Sequence, residues 1–112
     1  MNSIILGMVC LLFSFHTAYG QGNRYTGSYI KSAAIQHVGK SNFVIEGFDI
    51  SNIEGDAIAL YNCENVIIRN NKLSNTTKRG VYLFNCKNIT IIDNTFENVQ
   101  SGLVASTSQR IK

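Results

Sequence analysis

The chain has 112 residues, 45% of them hydrophobic and 15% charged, with a net charge of +3 and neither Pro nor Trp. That is too apolar for a disordered chain, and the length leaves room for one domain. The cations are few and scattered, with no Arg/Lys stripe and no interleaved aromatics, which argues against a nucleic-acid partner.

The first element is an apolar run, IILGMVCLLFSF, from Ile4 to Phe15. Ala18 and Gly20 follow as small residues just before Gln21. This is the layout of a secretory signal peptide over residues 1–20, although no Lys or Arg precedes the run. A bilayer span takes about 20 apolar residues, more than the run supplies. The expected location is therefore secreted, periplasmic or cell surface, with no membrane span after cleavage. Cys10 goes with the leader, and the remaining chain keeps Cys63 and Cys86.

Residues 21–40 read as a lead-in with a partial first coil. AAIQHVGKSN aligns with DAIALYNCEN when Ile35 is set on Ile58. From residue 41 to 112 the chain repeats itself. SNFVIEGFDISNIEGDAIALYN, ENVIIRNNKLSNTTKRGVYLFN and KNITIIDNTFENVQSGLVAST align with periods of 23, 23 and then 22 residues, and SQRIK begins a further unit. Within each unit apolar residues alternate: Phe43/Ile45, Val66/Ile68 and Ile89/Ile91, then Ile58/Leu60, Val81/Leu83 and Leu103/Ala105. Alternation over four or five residues predicts short half-buried strands, and no helical stripe is present. Ile50, Leu73 and Phe96 mark a further inward position. A unit this short cannot bury a core alone, but stacked units bury a continuous one.

The pattern N-V-I-I-x-N-N-x-L … G-V-x-L-x-N resembles the repeat of right-handed parallel β-helix proteins, the pectate-lyase-like superfamily. The resemblance covers residues 41–112 and implies an all-β solenoid of about three to four coils. Solenoids need polar caps, and none is seen before Lys112, so an N-terminal fragment of a longer protein is expected, with further coils beyond it. The resemblance also implies carbohydrate chemistry, and in its lyases acids that hold Ca²⁺ beside a basic residue. No catalytic motif transfers to a residue here, so catalytic residues stay unassigned, as does the choice between a lyase, a glycoside hydrolase and no enzyme.

The chain has thirteen asparagines. Asn71 and Asn94 occupy equivalent turn positions, where Asn tolerates left-handed backbone and its amide can bond the next amide up the stack. Asn62 and Asn85 are candidates for a second ladder. Asn42/Asn65/Asn88 and Asn52/Asn75/Asn98 also coincide. Four acids each fall one period before a cation: Glu46–Arg69, Asp49–Lys72, Asp56–Arg79 and Glu64–Lys87. Such pairs fix register more than they stabilise, at about 0.2–1 kcal/mol each. Asp93, Glu54 and Glu97 are left unpaired and at different places around the coil. Cys63 and Cys86 are expected as small stacked residues at a turn rather than a disulfide, and no third cysteine remains for a zinc set.

Pairing leaves few side chains for a ligand. Tyr82 and Phe84 should point outward if Val81 and Leu83 point in, and Tyr61 lies one coil from Phe84. Exposed aromatics in a row can stack on sugar rings. Lys78 and Arg79 lie in NTTKRG, expected as the longest loop, and are the cations expected to be freest. Asn75-Thr76-Thr77 and Asn88-Ile89-Thr90 fit the N-glycosylation acceptor pattern. Two functions stay open: binding or processing an extracellular polysaccharide, with the groove completed elsewhere, and a non-catalytic surface or periplasmic module, adhesin-like, structural or accessory.

Overall fold

The structure, a computed structural model, describes residues 18–19, 24–26 and 31–112. The expected leader, residues 1–20, lies outside the described residues except for Ala18–Tyr19. Every regular element described is a strand: β1 (Ala18–Tyr19), β2 (Arg24–Thr26), β3 (Lys31–Val38), β4 (Ser41–Glu46), β5 (Asp49–Tyr61), β6 (Glu64–Arg69), β7 (Lys72–Thr76), β8 (Arg79–Phe84), β9 (Lys87–Ile92), β10 (Thr95–Glu97), β11 (Ser101–Ser106) and β12 (Gln109–Ile111). No helix among the described residues is long and apolar enough to cross a membrane.

All the pairings are parallel. β1, β4, β6, β9 and β12 form a first sheet. β5 serves two others: its first part pairs with β2 and β7, with β10 beyond, and its second part pairs with β3 and β8, with β11 beyond. The chain visits each sheet once per turn, giving a parallel β-solenoid of about three turns. Ser41 stands opposite Glu64, Glu64 opposite Lys87 and Lys87 opposite Gln109, so the steps are the expected 23, 23 and 22 residues. Ile35 stands opposite Ile58 as the sequence alignment placed it.

This register stacks like on like. Ile45, Ile50, Ile58, Leu60, Ile68, Leu73, Val81, Leu83 and Ile89 are fully buried and form one continuous core. Burying each such side chain contributes roughly 1.5–3 kcal/mol. Leu103 and Ala105 hold the inward register opposite Val81 and Leu83, yet they are exposed, Leu103 at 42%. Among the described residues no strand pairs with β11 on the side away from β8.

The corners account for the asparagines. Nine of the eleven between residues 31 and 112 have positive φ: Asn42, Asn52, Asn62, Asn65, Asn70, Asn75, Asn85, Asn88 and Asn98. Only Gly visits this region more readily, because the short Asn amide bonds locally. The other two are Asn71 and Asn94, which corrects the sequence reading. At that corner the left-handed residue is the preceding one, Gly47, Asn70 or Asp93. Asn71 and Asn94 instead turn their amides inward. Asn71 Oδ1 accepts the Phe48 amide at 2.9 Å, and its Nδ2 donates to the Ile45 carbonyl at 3.1 Å and to Asn94 Oδ1 at 3.0 Å. Asn94 Nδ2 donates to the Ile68 carbonyl at 2.9 Å. Three outer ladders run beside this buried one: Asn88 to Asn65 to Asn42 at 3.0 Å each, Asn98 to Asn75 at 2.8 Å, and Asn85 to Asn62 at 2.7 Å. Both candidate glycosylation acceptors, Asn75 and Asn88, are therefore rungs of a ladder.

Candidate functional site

The outward face of the third sheet, made by β3, β5, β8 and β11, carries the aromatics. Parallel pairing sets Val38, Tyr61, Phe84 and Ser106 in one column, and Gln36, Ala59, Tyr82 and Val104 in the next. Neighbouring rungs are about 4.8 Å apart, so side chains in a column touch. Tyr61 meets Tyr82 edge-on with ring centroids 5.9 Å apart, and meets Phe84 tilted at 6.4 Å. Val38 is 60% and Phe84 41% exposed. Tyr61 and Tyr82 are half-buried. The sheet thus brings Tyr61, Tyr82 and Phe84 together as one outward apolar platform, as their alternation with Val81 and Leu83 requires.

Arg79 stands at the platform's edge, and the structure corrects its expected freedom. Its Nε donates to Asp56 Oδ1 at 2.7 Å, its Nη2 to Asp56 Oδ2 at 3.0 Å, and its backbone N–H to Asp56 Oδ1 at 3.0 Å. Asp56 is 4% exposed. A carboxylate removed from water needs such partners, which is why the pairing prevails over exposure. The hydrogen bonds and charge of Asp56, aided by Tyr82 and Tyr61, push the Arg79 guanidinium further up from its ordinary value. The guanidinium carbon lies 4.0 Å from the centroid of the Tyr82 ring, a cation–π contact that braces the ring from one side. This contact was not foreseen.

Lys78 is exposed, but NTTKRG is not a long loop. Only Thr77 and Lys78 separate β7 from β8. Their amides donate to the Ile53 and Gly55 carbonyls at 3.0 Å each, and Thr77 Oγ1 accepts the Gly55 amide at 2.8 Å. The equivalent segment one coil earlier lies within unbroken β5, which templates this corner.

The remaining charges follow the register but not every pairing. Glu46 binds Arg69 as expected. Asp49 and Glu64 stand opposite Lys72 and Lys87 without forming ion pairs with them. Asp49 pairs with Arg24 at 3.6 Å, and Lys72 reaches Glu97 at 4.0 Å, an acid expected to be unpaired. Long exposed side chains choose freely between neighbours one rung up or down.

Cys63 and Cys86 are buried free thiols stacked at a turn. Each lies near carbonyls of its own and the preceding coil: Cys63 Sγ is 3.5 Å from the Tyr61 oxygen, and Cys86 Sγ is 3.4 Å from the Leu60 oxygen. Burial pushes the Cys63 thiol up. The calcium that the resemblance allowed would need several converging oxygens. Among the described residues no three of His, Cys, Asp or Glu come together in that way.

No curated protein and no solved structure matches the chain. The model of the family described as "right handed beta helix region" matches residues 5–112. With nearly the whole chain matched, and parallel strands stacked in the register just described, the chain belongs to the right-handed β-helix family.

Proposed function

We propose that this chain is an exported β-helix that binds an extracellular polysaccharide on the outward face of its third sheet. The observation that carries the reading is the contiguous platform of Tyr61, Tyr82 and Phe84, open to solvent through Phe84 and Val38. Sugar rings present flat C–H faces that stack on such rings, and hydroxyls that the tyrosine O–H groups can meet. A rigid parallel sheet holds the rings at fixed spacing, which lowers the ordering cost of binding. The apolar run before Gln21 supports export. Asp56 and Glu46, engaged by Arg79 and Arg69, support a binding role over bond cleavage by these acids. The same pairing favours the second reading, a structural surface or periplasmic module without a glycan ligand.

Affinity electrophoresis in gels containing soluble polysaccharide separates the two. The wild-type chain is expected to be retarded, and Tyr61→Ala with Phe84→Ala to weaken retardation about tenfold or more, since each aromatic contact contributes about 0.5–1.5 kcal/mol beyond its buried area. Ile92→Ala is the control, because Ile92 is 49% exposed and lies on the first sheet. Equal retardation of all three proteins rules out the platform as the docking face.

A further inference from the structure

We infer that the platform selects neutral glycans over polyuronates. This rests on the binding role proposed above and goes further, because it names the ligand's charge. The reason is electrostatic. Arg79 is the cation nearest the aromatic rings, and its charge is cancelled at source. Asp56 takes both Nε and Nη2 within 3.0 Å, and one side of the guanidinium lies over the Tyr82 ring. A uronate carboxylate arriving at the platform meets a closed ion pair rather than an open fork of donors. Pulling Arg79 away would leave the Asp56 carboxylate, 4% exposed, without its partner.

The two columns that hold the rings add no charge, and the exposed Glu54, opposite Lys31, lies toward the other end of the strands, before Tyr61 along β5. Those columns present Gln36, Val38, Tyr61, Tyr82, Phe84 and Ser106, all uncharged. Lys78 is exposed at the adjoining corner, outside β8 and so outside those columns. Two further cations, Arg110 and Lys112, line a cavity of about 300 Å³ with Asn65, Ile67, Asn88 and Thr90, but that cavity belongs to the first sheet. Stacking and neutral hydrogen bonds are therefore what the platform can offer, and both are insensitive to salt.

The test compares the full chain in gels containing hydroxyethylcellulose, a neutral glucan, with gels containing polygalacturonate. Each is run from about 10 mM to about 1 M salt, which shortens the screening length from about 30 to about 3 Å. Retardation by the glucan is expected to change less than about twofold across that range, and retardation by polygalacturonate to be at least about tenfold weaker, a margin of about 1.4 kcal/mol. Asp56→Asn, which removes the charge that closes Arg79, is expected to gain polygalacturonate binding that salt abolishes. The wild-type comparison decides the matter even if that variant does not fold. Tighter binding of polygalacturonate by the wild type, lost at high salt and lost again in Arg79→Gln, overturns the charge inference and leaves the platform in place. Retardation by neither glycan overturns the binding reading and this inference with it.

Discussion

Asn71→Ala is expected to be among the most damaging single substitutions in this chain. The Asn71 amide satisfies the buried Phe48 N–H and the buried Ile45 carbonyl, and holds Asn94 Oδ1 on the next coil. Alanine removes both of these hydrogen bonds at a corner where Asn71 itself is 3% exposed, so water does not readily replace them. Losing the partner of a buried polar group costs about 1–3 kcal/mol, and two such losses roughly 2–6 kcal/mol. For a domain of this size that lowers the unfolding midpoint by about 8 °C or more. Asn70→Gly is the informative neighbour. Asn70 has φ 55° and is exposed, so glycine keeps its backbone and costs less than about 1 kcal/mol. Thermal denaturation of the two variants checks this directly. Equal losses would mean that the adjacent residues share one role.

Gly80→Ala is the second. A β-carbon there would sit 2.6 Å from two ring atoms of Phe96 and 2.9 Å from the Gly102 carbonyl oxygen, closer than real contacts allow. Neither neighbour yields easily, since Phe96 packs against the core and the other atom is backbone. The expected cost is about 1–3 kcal/mol, the usual range for overpacking. Gly102→Ala is the matched control, because its β-carbon would meet Phe96 at an ordinary 3.8 Å. A chemical denaturation midpoint that falls for Gly80→Ala and holds for Gly102→Ala confirms the close approach. Matching midpoints would place the ring elsewhere.

The repeat was legible because parallel stacking in register puts equivalent residues directly over one another, so spatial neighbours recur at the sequence period. Phe43, Val66 and Ile89 are buried for the same reason that they align. What misled was the pair Asn70-Asn71, where either residue could turn the backbone. The aligned pair Gly47-Phe48 held the answer, since Phe at positive φ is strained and Gly is not. The sequence offers Arg79 both as the partner of Asp56, one period away, and as a free cation in NTTKRG. Burial of Asp56 decided for the pair, and burial at a corner is not visible in a local alternation. The Arg79–Tyr82 contact has only a faint signal, a cation and an aromatic three residues apart across a strand start. Surface pairs such as Lys72–Glu97 had none, because differences of a few tenths of a kcal/mol choose among them.

The most direct test of the functional claim is a backbone amide NMR titration of the full chain with cellohexaose, a soluble neutral oligosaccharide. Shifts concentrated at Val38, Tyr61, Tyr82 and Phe84, with the first sheet unmoved, are the result expected of a glycan seated on the third sheet. Shifts concentrated at Arg110 and Lys112, or none at saturating sugar, would contradict it.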